Sequence, residues 1–418
     1  MSAILLLGLV LALLVLRQPL TVILLAAIAY VHMVWGHGYL DYIVEDMWTS
    51  LNKELILSVP LFLLCGAIMT EGTAARRLVR IVRAMTAPTR GGLGVAAIIS
   101  CAVFAAISGS SIVTMIAVGS VLYPAMKEAG YTNRFALGTV VSGGTLGIII
   151  PPSIPLILYG LVTETSIVDL FLAGIMPGMV LIVLMTGYAI WANRHQPAQK
   201  MDWGELRIAL REGIWAALFP VILLGGIYSG YYSPTESAAV ALVYALVIEF
   251  FVHREMTLKK YFNVVTETAK LGGALFPLIA VALSLNLVLT EYRVPAQMVD
   301  LVSAWIDNPI AFLVVINLLL LAVGAFMTTN EAILILGPIL MPVAQAYGFH
   351  PVHFGIIMIV NLEIGYLTPP VGMNLMVALV TFKQKFNELV MSVLPYIAIL
   401  VLGLIIISAI PWLSLGLL

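Results

Sequence analysis

Two long apolar runs are each broken by a glycine-to-diproline segment, residues 147–152 (GIIIPP) and residues 365–370 (GYLTPP), and Pro369 follows Pro151 at a distance of 218 positions (369 − 151). A Pro-Pro step removes two amide donors and disfavours the helical conformation in the residue before it, so neither run continues as one unbroken helix. The breaks stand in a chain of 418 residues that is 62% hydrophobic and 10% charged, with a mean hydropathy of +1.09. A soluble domain carries about 25% charged residues, so this is the composition of a polytopic membrane protein. Inside a membrane, backbone groups freed at a helix break must be met by protein, water or a ligand. Matched breaks in two halves of such a chain point to the midplane binding site of a transporter.

A spanning helix takes about 20 apolar residues, and the candidates fall at 2–16, 19–35, 55–71, 134–160, 168–192, 214–231, 235–252, 270–290, 352–380 and 387–415. The first lacks the basic flank and small-residue cleavage site of a signal peptide and is expected to be a retained helix. Cys65 and Cys101 lie in apolar runs without metal-type spacing, so they read as small core residues and imply no disulfide. Regions 93–126 and 308–345 are too long for one span and polar at their middles: Ser108, Gly109, Ser110 and Ser111 in the first, Thr328, Thr329, Asn330 and Glu331 in the second. Two apolar arms joined by a polar tip describe a re-entrant helical hairpin. The fold class expected is therefore an all-α polytopic membrane protein with a re-entrant hairpin and a broken helix in each half.

Sliding the first half onto the second by 218 aligns Gly119 with Gly337, Pro124 with Pro342, Gly130 with Gly348, Gly147 with Gly365, both diprolines, and Pro177 with Pro395, with no gap. Glycine and proline fix backbone geometry, so these matches imply a shared shape. The chain divides on this basis into N-terminal scaffold helices (1–54), a first repeat (55–192), connecting helices and loops (193–272), a second repeat (273–410) and the end of the last helix (411–418). The segment after the leading helix of the first repeat is basic (Arg76, Arg77, Arg80, Arg83, Arg90), whereas its counterpart at 294–308 has no Lys or Arg and carries Asp300 and Asp307. Opposite sidedness follows, hence inverted repeats with the basic face cytoplasmic. Arg76, Arg77, Arg80 and Arg83 are spaced for one face of a surface-lying helix.

A dehydrated cation needs oxygens, which unwound helix and hydroxyl or amide side chains supply. The first set is Ser108, Ser110 and Ser111 with Gly143, Gly144, Thr145 and the first break. The second is Thr328, Thr329 and Asn330 with Gly365, Thr368 and the second break. Helix N-termini at the hairpin tips suit an anionic substrate. Intramembrane acids are costly; of the two here, Glu331 is placed to serve the N-terminus of its arm, and Glu363 either pairs with a basic group or carries a proton. Ser233, Pro234, Thr235 and Glu236 spell a capping box. No Gly-Lys dipeptide is present, against a built-in ATP motor. His32, His37, His195, His253, His350 and His353 form no zinc-protease motif, and the pair at 350 and 353 is expected to cap a loop. A net charge of -1 excludes a nucleic-acid-binding surface. Nothing here resembles an enzyme's nucleophile and base.

The runs SGSSIVT, GYTNRFA, GGTLGIIIPPSIPLILYG, SPTESAAVALVYAL, GPILMPVA and NLEIGYLTPPVGMNL resemble the large membrane subunit of tripartite ATP-independent periplasmic (TRAP) transporters. The resemblance implies a sodium-driven elevator of the ion-transporter superfamily, a scaffold carrying a transport domain, in a bacterial inner membrane. It also implies two partners: a small four-helix membrane subunit and a periplasmic substrate-binding protein that delivers an organic anion, of carboxylate, sialic acid or sulfonate type. Carried over residue by residue, sodium would be held by Ser110, Ser111, Gly143 and Thr145, and by Gly324, Thr328, Thr329, Asn330, Gly365 and Thr368. Ser108, Gly109, Ser153 and Asn374 are expected to face the substrate. Ile150 stands opposite Thr368 and Thr145 opposite Glu363, so the two cation sites are expected to be unequal. A proton-coupled antiporter or exporter of the same architecture is the alternative.

Overall fold

The structure is a computed structural model that describes residues 2–35 and 40–418; His37 lies outside them. Among the described residues there are helices and no strands. Nine segments among the described residues are long and apolar enough to cross a membrane, counting the interrupted run Asn133–Thr163 as one. Two N-terminal helices, Ser2–Val15 and Leu20–Val34, and the shorter Asp41–Leu51 precede the first half.

The first half runs from a leading helix, Ser58–Glu71, through an amphipathic helix, Ala74–Thr86, to a hairpin with arms Gly92–Ser108 and Ser111–Glu128. A broken helix follows (Asn133–Gly143, Leu146–Ile149, Ile154–Thr163), then a closing helix, Ile167–Ala192. Trp203–Tyr228 and Pro234–Val247, the latter ending in a π-helical turn Ile248–Val252, connect the halves. The second half repeats the order: Leu258–Glu291, the short helix Val294–Ser303, hairpin arms Pro309–Phe326 and Thr329–Ala346, a broken helix (Pro351–Tyr366, Met373–Phe382) and Phe386–Ala409. A shift of 218 lays Ser111–Glu128 on Thr329–Ala346 end for end.

Several sequence expectations need adjusting. The span expected at 214–231 begins at Trp203, and that expected at 270–290 belongs to a helix of 34 residues from Leu258. At 1.5 Å per residue the latter is about 50 Å long and outreaches a hydrocarbon core of about 30 Å. The first break is double, a turn at Gly144 and Thr145 preceding the diproline, whereas Pro351–Tyr366 runs unbroken to its single interruption. Thr145 and Gly144 carry no apolar-run signature, so only the prolines announced a break. His350 caps the helix after it, accepting from the Val352 amide at 3.3 Å, while His353 is buried inside that helix and caps nothing.

Irregular backbone at membrane depth must be wrapped in protein, and the burial follows that rule. The interrupted run Asn133–Thr163 is 94% buried over its most apolar window, against 28% for Trp203–Tyr228 and for Pro309–Phe326. From Val352 to Tyr366 every side chain of the second broken helix is buried. The closing helix Phe386–Ala409 is tied to the first broken helix by a buried Thr139–Tyr396 hydroxyl pair at 2.6 Å. Apolar helices gain little from leaving lipid, so such close contacts and hydrogen bonds carry much of the association. Cys65 and Cys101 are buried core residues, as the sequence implied. Arg76 and Arg83 of the amphipathic helix face outward and Leu78, Val79, Ile81 and Val82 inward.

Candidate functional site

Both hairpin tips reach one cavity of about 440 Å³, a volume that suits a small organic ligand. Its polar lining is Ser108, Ser110, Ser111, Thr328, Thr329 and Asn330, with Glu331, Glu363 and Tyr366. The opposite wall is largely apolar, from Leu63, Gly66 and Ala67 of one leading helix and Leu271, Leu275 and Leu278 of the other, broken by Thr268. Among the described residues no Lys, Arg or His lines it.

At the first tip the arm Gly92–Ser108 ends on Gly109, in the left-handed region at φ +57, and the second arm begins after Ser110 in extended conformation. The Ser108 and Thr114 hydroxyls pair at 2.6 Å, bracing the two arms. Thr114 went unnoticed in the sequence, although its place one turn past Ser110 in an apolar arm was the available signal. The tip rests on the first break: the Ile154 amide donates to the Gly109 carbonyl at 3.5 Å, and a Cβ at Gly147 would lie 2.5 Å from the Ser110 carbonyl oxygen.

At the second tip Met327 is extended and Thr328 begins the arm with a reciprocal cap. The Glu331 amide donates to Thr328 Oγ1 at 3.3 Å, and the Thr328 amide donates to Glu331 Oε2 at 3.0 Å. This is the structural role expected of Glu331. The analogous box at Ser233 and Glu236 is likewise formed. The tip lies on the second break, where Gly324 and Gly365 meet backbone to backbone and the Gly372 amide donates to the Ala325 carbonyl at 3.2 Å.

Asn374 joins the halves. Fully buried, it donates through Nδ2 to Ser111 Oγ at 2.5 Å and to Glu363 Oε1 at 3.3 Å. Thr329 Oγ1 donates to the other Glu363 oxygen at 3.5 Å. The partners of Glu363 are thus uncharged, and the basic group that the sequence left open as its mate is not among them. A second buried amide, Asn361, donates to Asn317 across the same half; a lone Asn in each apolar run was its only mark.

The remaining candidates divide. Thr145 and Thr368 turn their hydroxyl protons back to the carbonyls of Ser142 (2.6 Å) and Ile364 (2.9 Å). A hydroxyl that donates in this way keeps its lone pairs for another partner, a cation included. Gly143 lies against Cys101 and does not line the cavity. Ser153 and Asn374, expected to face the substrate, are buried and do not line the cavity; Ser153 caps Ile154–Thr163 by accepting from the Leu156 amide at 3.4 Å. Ile150 presents its side chain to Gly178 of the closing helix. Among the described residues no three His, Cys, Asp or Glu side chains gather as a metal cluster.

Residues 7–413 match the family model of the tripartite ATP-independent periplasmic transporter, DctM component. The chain is 43% identical to the C4-dicarboxylate TRAP transporter large permease protein DctM of Pseudomonas aeruginosa, over 87% of this chain and 86% of that one. It is 40% identical to the isethionate TRAP transporter permease protein DctMQ of Oleidesulfovibrio alaskensis, over 93% of this chain and 61% of that longer one. It is 34% identical to the ectoine TRAP transporter large permease protein TeaC of Halomonas elongata, over 93% and 92%. The fold also resembles the YdaH transporter of Alcanivorax borkumensis, with a TM-score of 0.67 at 16% identity over 92% of this chain and 90% of that one. MtrF of Neisseria gonorrhoeae gives 0.64 at 11% identity over 90% and 85%. The chain belongs to the TRAP transporters as a DctM component, the large multi-pass permease subunit of the inner membrane.

Proposed function

We propose that this permease imports an organic anion in symport with sodium, by an elevator movement in which the hairpins and broken helices travel as one body against the remaining helices. The observation that carries the reading is the convergence of both polar tips, each seated on its own helix break, on one cavity without a basic side chain. An anion in such a cavity draws its counter-charge from the N-terminal ends of the arms Ser111–Glu128 and Thr329–Ala346 and from bound cations. Sodium is assigned to Ser110, Ser111, Gly143 and Thr145 in the first half and to Gly324, Thr328, Thr329, Asn330, Gly365 and Thr368 in the second. Ser108 and Gly109 face the substrate, and Ser153 and Asn374 hold the surfaces that do. The halves 55–192 and 273–410 act as inverted repeats. A small four-helix subunit and a periplasmic binding protein complete the system.

Relatives are named for C4-dicarboxylates, isethionate and ectoine, which supports a small carboxylate or sulfonate as substrate class. The test is uptake into proteoliposomes holding the permease and small subunit, with the binding protein outside. Flux is expected only under an inward sodium gradient, and uptake that persists without sodium on either side would overturn the reading. Ser111→Ala and Thr368→Ala are each expected to weaken apparent sodium affinity about tenfold at unchanged protein abundance. The proton-coupled antiporter or exporter draws on one observation, the burial of Glu363 among uncharged partners. Transport driven by a pH gradient alone and lost in Glu363→Gln would select it.

A further inference from the structure

The amphipathic helix Ala74–Thr86 spends its four arginines unequally. Arg80 is held by Glu205 at 2.7 Å and Glu212 at 2.6 Å, and Arg77 lies 3.6 Å from Glu255 while donating to the Glu212 carbonyl at 3.1 Å. The side chains of Arg76 and Arg83 are exposed and make no hydrogen bond or ion pair with the described residues; Lys200 makes none either. Arg83 reaches Glu205 only as longer-range charge, and that carboxylate is already committed to Arg80. Positions 76, 80 and 83 follow helical spacing, so the three guanidinium groups rise along one face.

A cavity of about 430 Å³ opens over that face, and Arg76, Arg80, Arg83 and Lys200 all line it. Two acids line it as well, and both are engaged. Asp202 accepts from the amides of Gly204 and Glu205 at 2.9 and 3.1 Å as the cap of Trp203–Tyr228, and Glu205 holds Arg80. Apart from Gln199 the rest of the wall is apolar; Val79 and Leu122 are buried behind it, and its accessible part is Ala87 with Val121 of the hairpin arm Ser111–Glu128. The cavity therefore combines three uncommitted cations with a greasy flank. Trp191 and Trp203, exposed at 64% and 70%, stand at the two ends of the segment 193–202 that carries Lys200. Exposed tryptophans of this kind favour the level of the lipid headgroups.

We propose that this cavity binds the phosphate of an anionic phospholipid headgroup. Arg76, Arg83 and Lys200 take the phosphate, and the accessible flank of Ala87 and Val121 takes the glycerol and upper chain. An inorganic ion would satisfy the cations but has no use for the apolar flank. The bound lipid would bridge the amphipathic helix to the second arm of the first hairpin, a link distinct from the cavity at the tips.

The experiment uses the full chain in phosphatidylcholine nanodiscs, with phosphatidylglycerol titrated in and lipid retention followed by native mass spectrometry alongside the melting temperature. Phosphatidylglycerol is expected to be retained and to stabilise, with phosphatidylcholine and inorganic phosphate doing neither. Basic residues near a charged surface are each worth about a fivefold change in affinity. Arg76→Gln with Arg83→Gln should thus weaken the phosphatidylglycerol response about 25-fold. Arg207→Gln with Arg211→Gln removes the same charge from exposed positions outside the cavity and should change it less than twofold. Equal losses in both pairs would show diffuse surface attraction, and no loss in the first pair would show no site; either overturns the proposal. Full competition by inorganic phosphate would reassign the site to a soluble anion. Should the double variant fail to fold in phosphatidylcholine, Lys200→Gln alone is expected to give the fivefold loss, and an unchanged response there would overturn it too.

Discussion

At the first hairpin tip Ser110 stands in the N-cap position but its side chain caps nothing, whereas at the second tip Thr328 and Glu331 close a reciprocal cap within four residues. The first tip is steadied by Ser108, whose hydroxyl pairs with Thr114 and accepts from the Ser110 amide at 3.4 Å, and from outside by the Ile154 amide on the Gly109 carbonyl and by Asn374 reaching from the other half to Ser111. The second has outside contacts as well, the Gly372 amide on the Ala325 carbonyl and Thr329 on Glu363, and adds to them a cap spelled in its own sequence. The breaks beneath them differ in the same sense, with two interruptions under the first tip and one under the second. One backbone plan thus carries a reciprocal helix cap at one tip and none at the other, over tertiary contacts that both share. A disturbance at the first break should reach its tip directly, while the second tip should be buffered.

The comparison breaks first at what the halves share. Each tip lies against a break with no room for a side-chain carbon, since a Cβ at Gly365 would stand 2.6 Å from the backbone of Gly324 and one at Gly147 2.5 Å from the Ser110 carbonyl oxygen. Backbone cannot rotate aside as a side chain can, and overpacking of this kind costs about 1–3 kcal/mol or more. Gly365→Ala and Gly147→Ala are expected to lower the melting temperature of the purified permease and to abolish uptake. A Gly365→Ala protein with native melting temperature and flux would show that tip and break are not in register. Next in size is Asn374→Leu. It leaves Ser111 and the buried Glu363 without their amide donor, an omission costing about 1–3 kcal/mol. The loss should appear in the melting temperature, and because the bond crosses between halves, it should exceed the loss from any single hydroxyl at either tip.

Much of this difference could be read from the residues, and the unread part has a physical cause. Thr328 and Glu331 at i and i+3 are a local signal, as are Ser233 and Glu236, and both boxes form as spelled. Prolines likewise announce a break because they act on their own backbone. The turn at Gly144 and Thr145 gives no such sign, since glycine and threonine are also ordinary in membrane helices. Asn374 and Ser111 are 263 positions apart, and only folding decides that an amide after one break meets a hydroxyl of the opposite hairpin. The same holds for Ser153, which sequence reading assigns to the substrate and the fold commits to capping a helix. Local hydrogen bonding is written along the chain; bonds between halves are not.

The smallest effects sharpen the comparison most, because they isolate the cap itself. Removing a Thr N-cap typically costs about 1 kcal/mol, so Thr328→Ala should lower the melting temperature measurably. Glu331→Gln should lower it less, since an amide oxygen can still accept from the Thr328 amide, and combining the two should be less than additive because they share one box. Ser110→Ala removes a hydroxyl that caps nothing and should stay within about 0.5 kcal/mol of the parent. On the proposed sodium assignment its effect belongs to function instead: stability unchanged, apparent sodium affinity reduced. If Ser110→Ala destabilises as much as Thr328→Ala, the first tip has a cap of its own after all. The contrast between an uncapped tip and a capped one would then collapse.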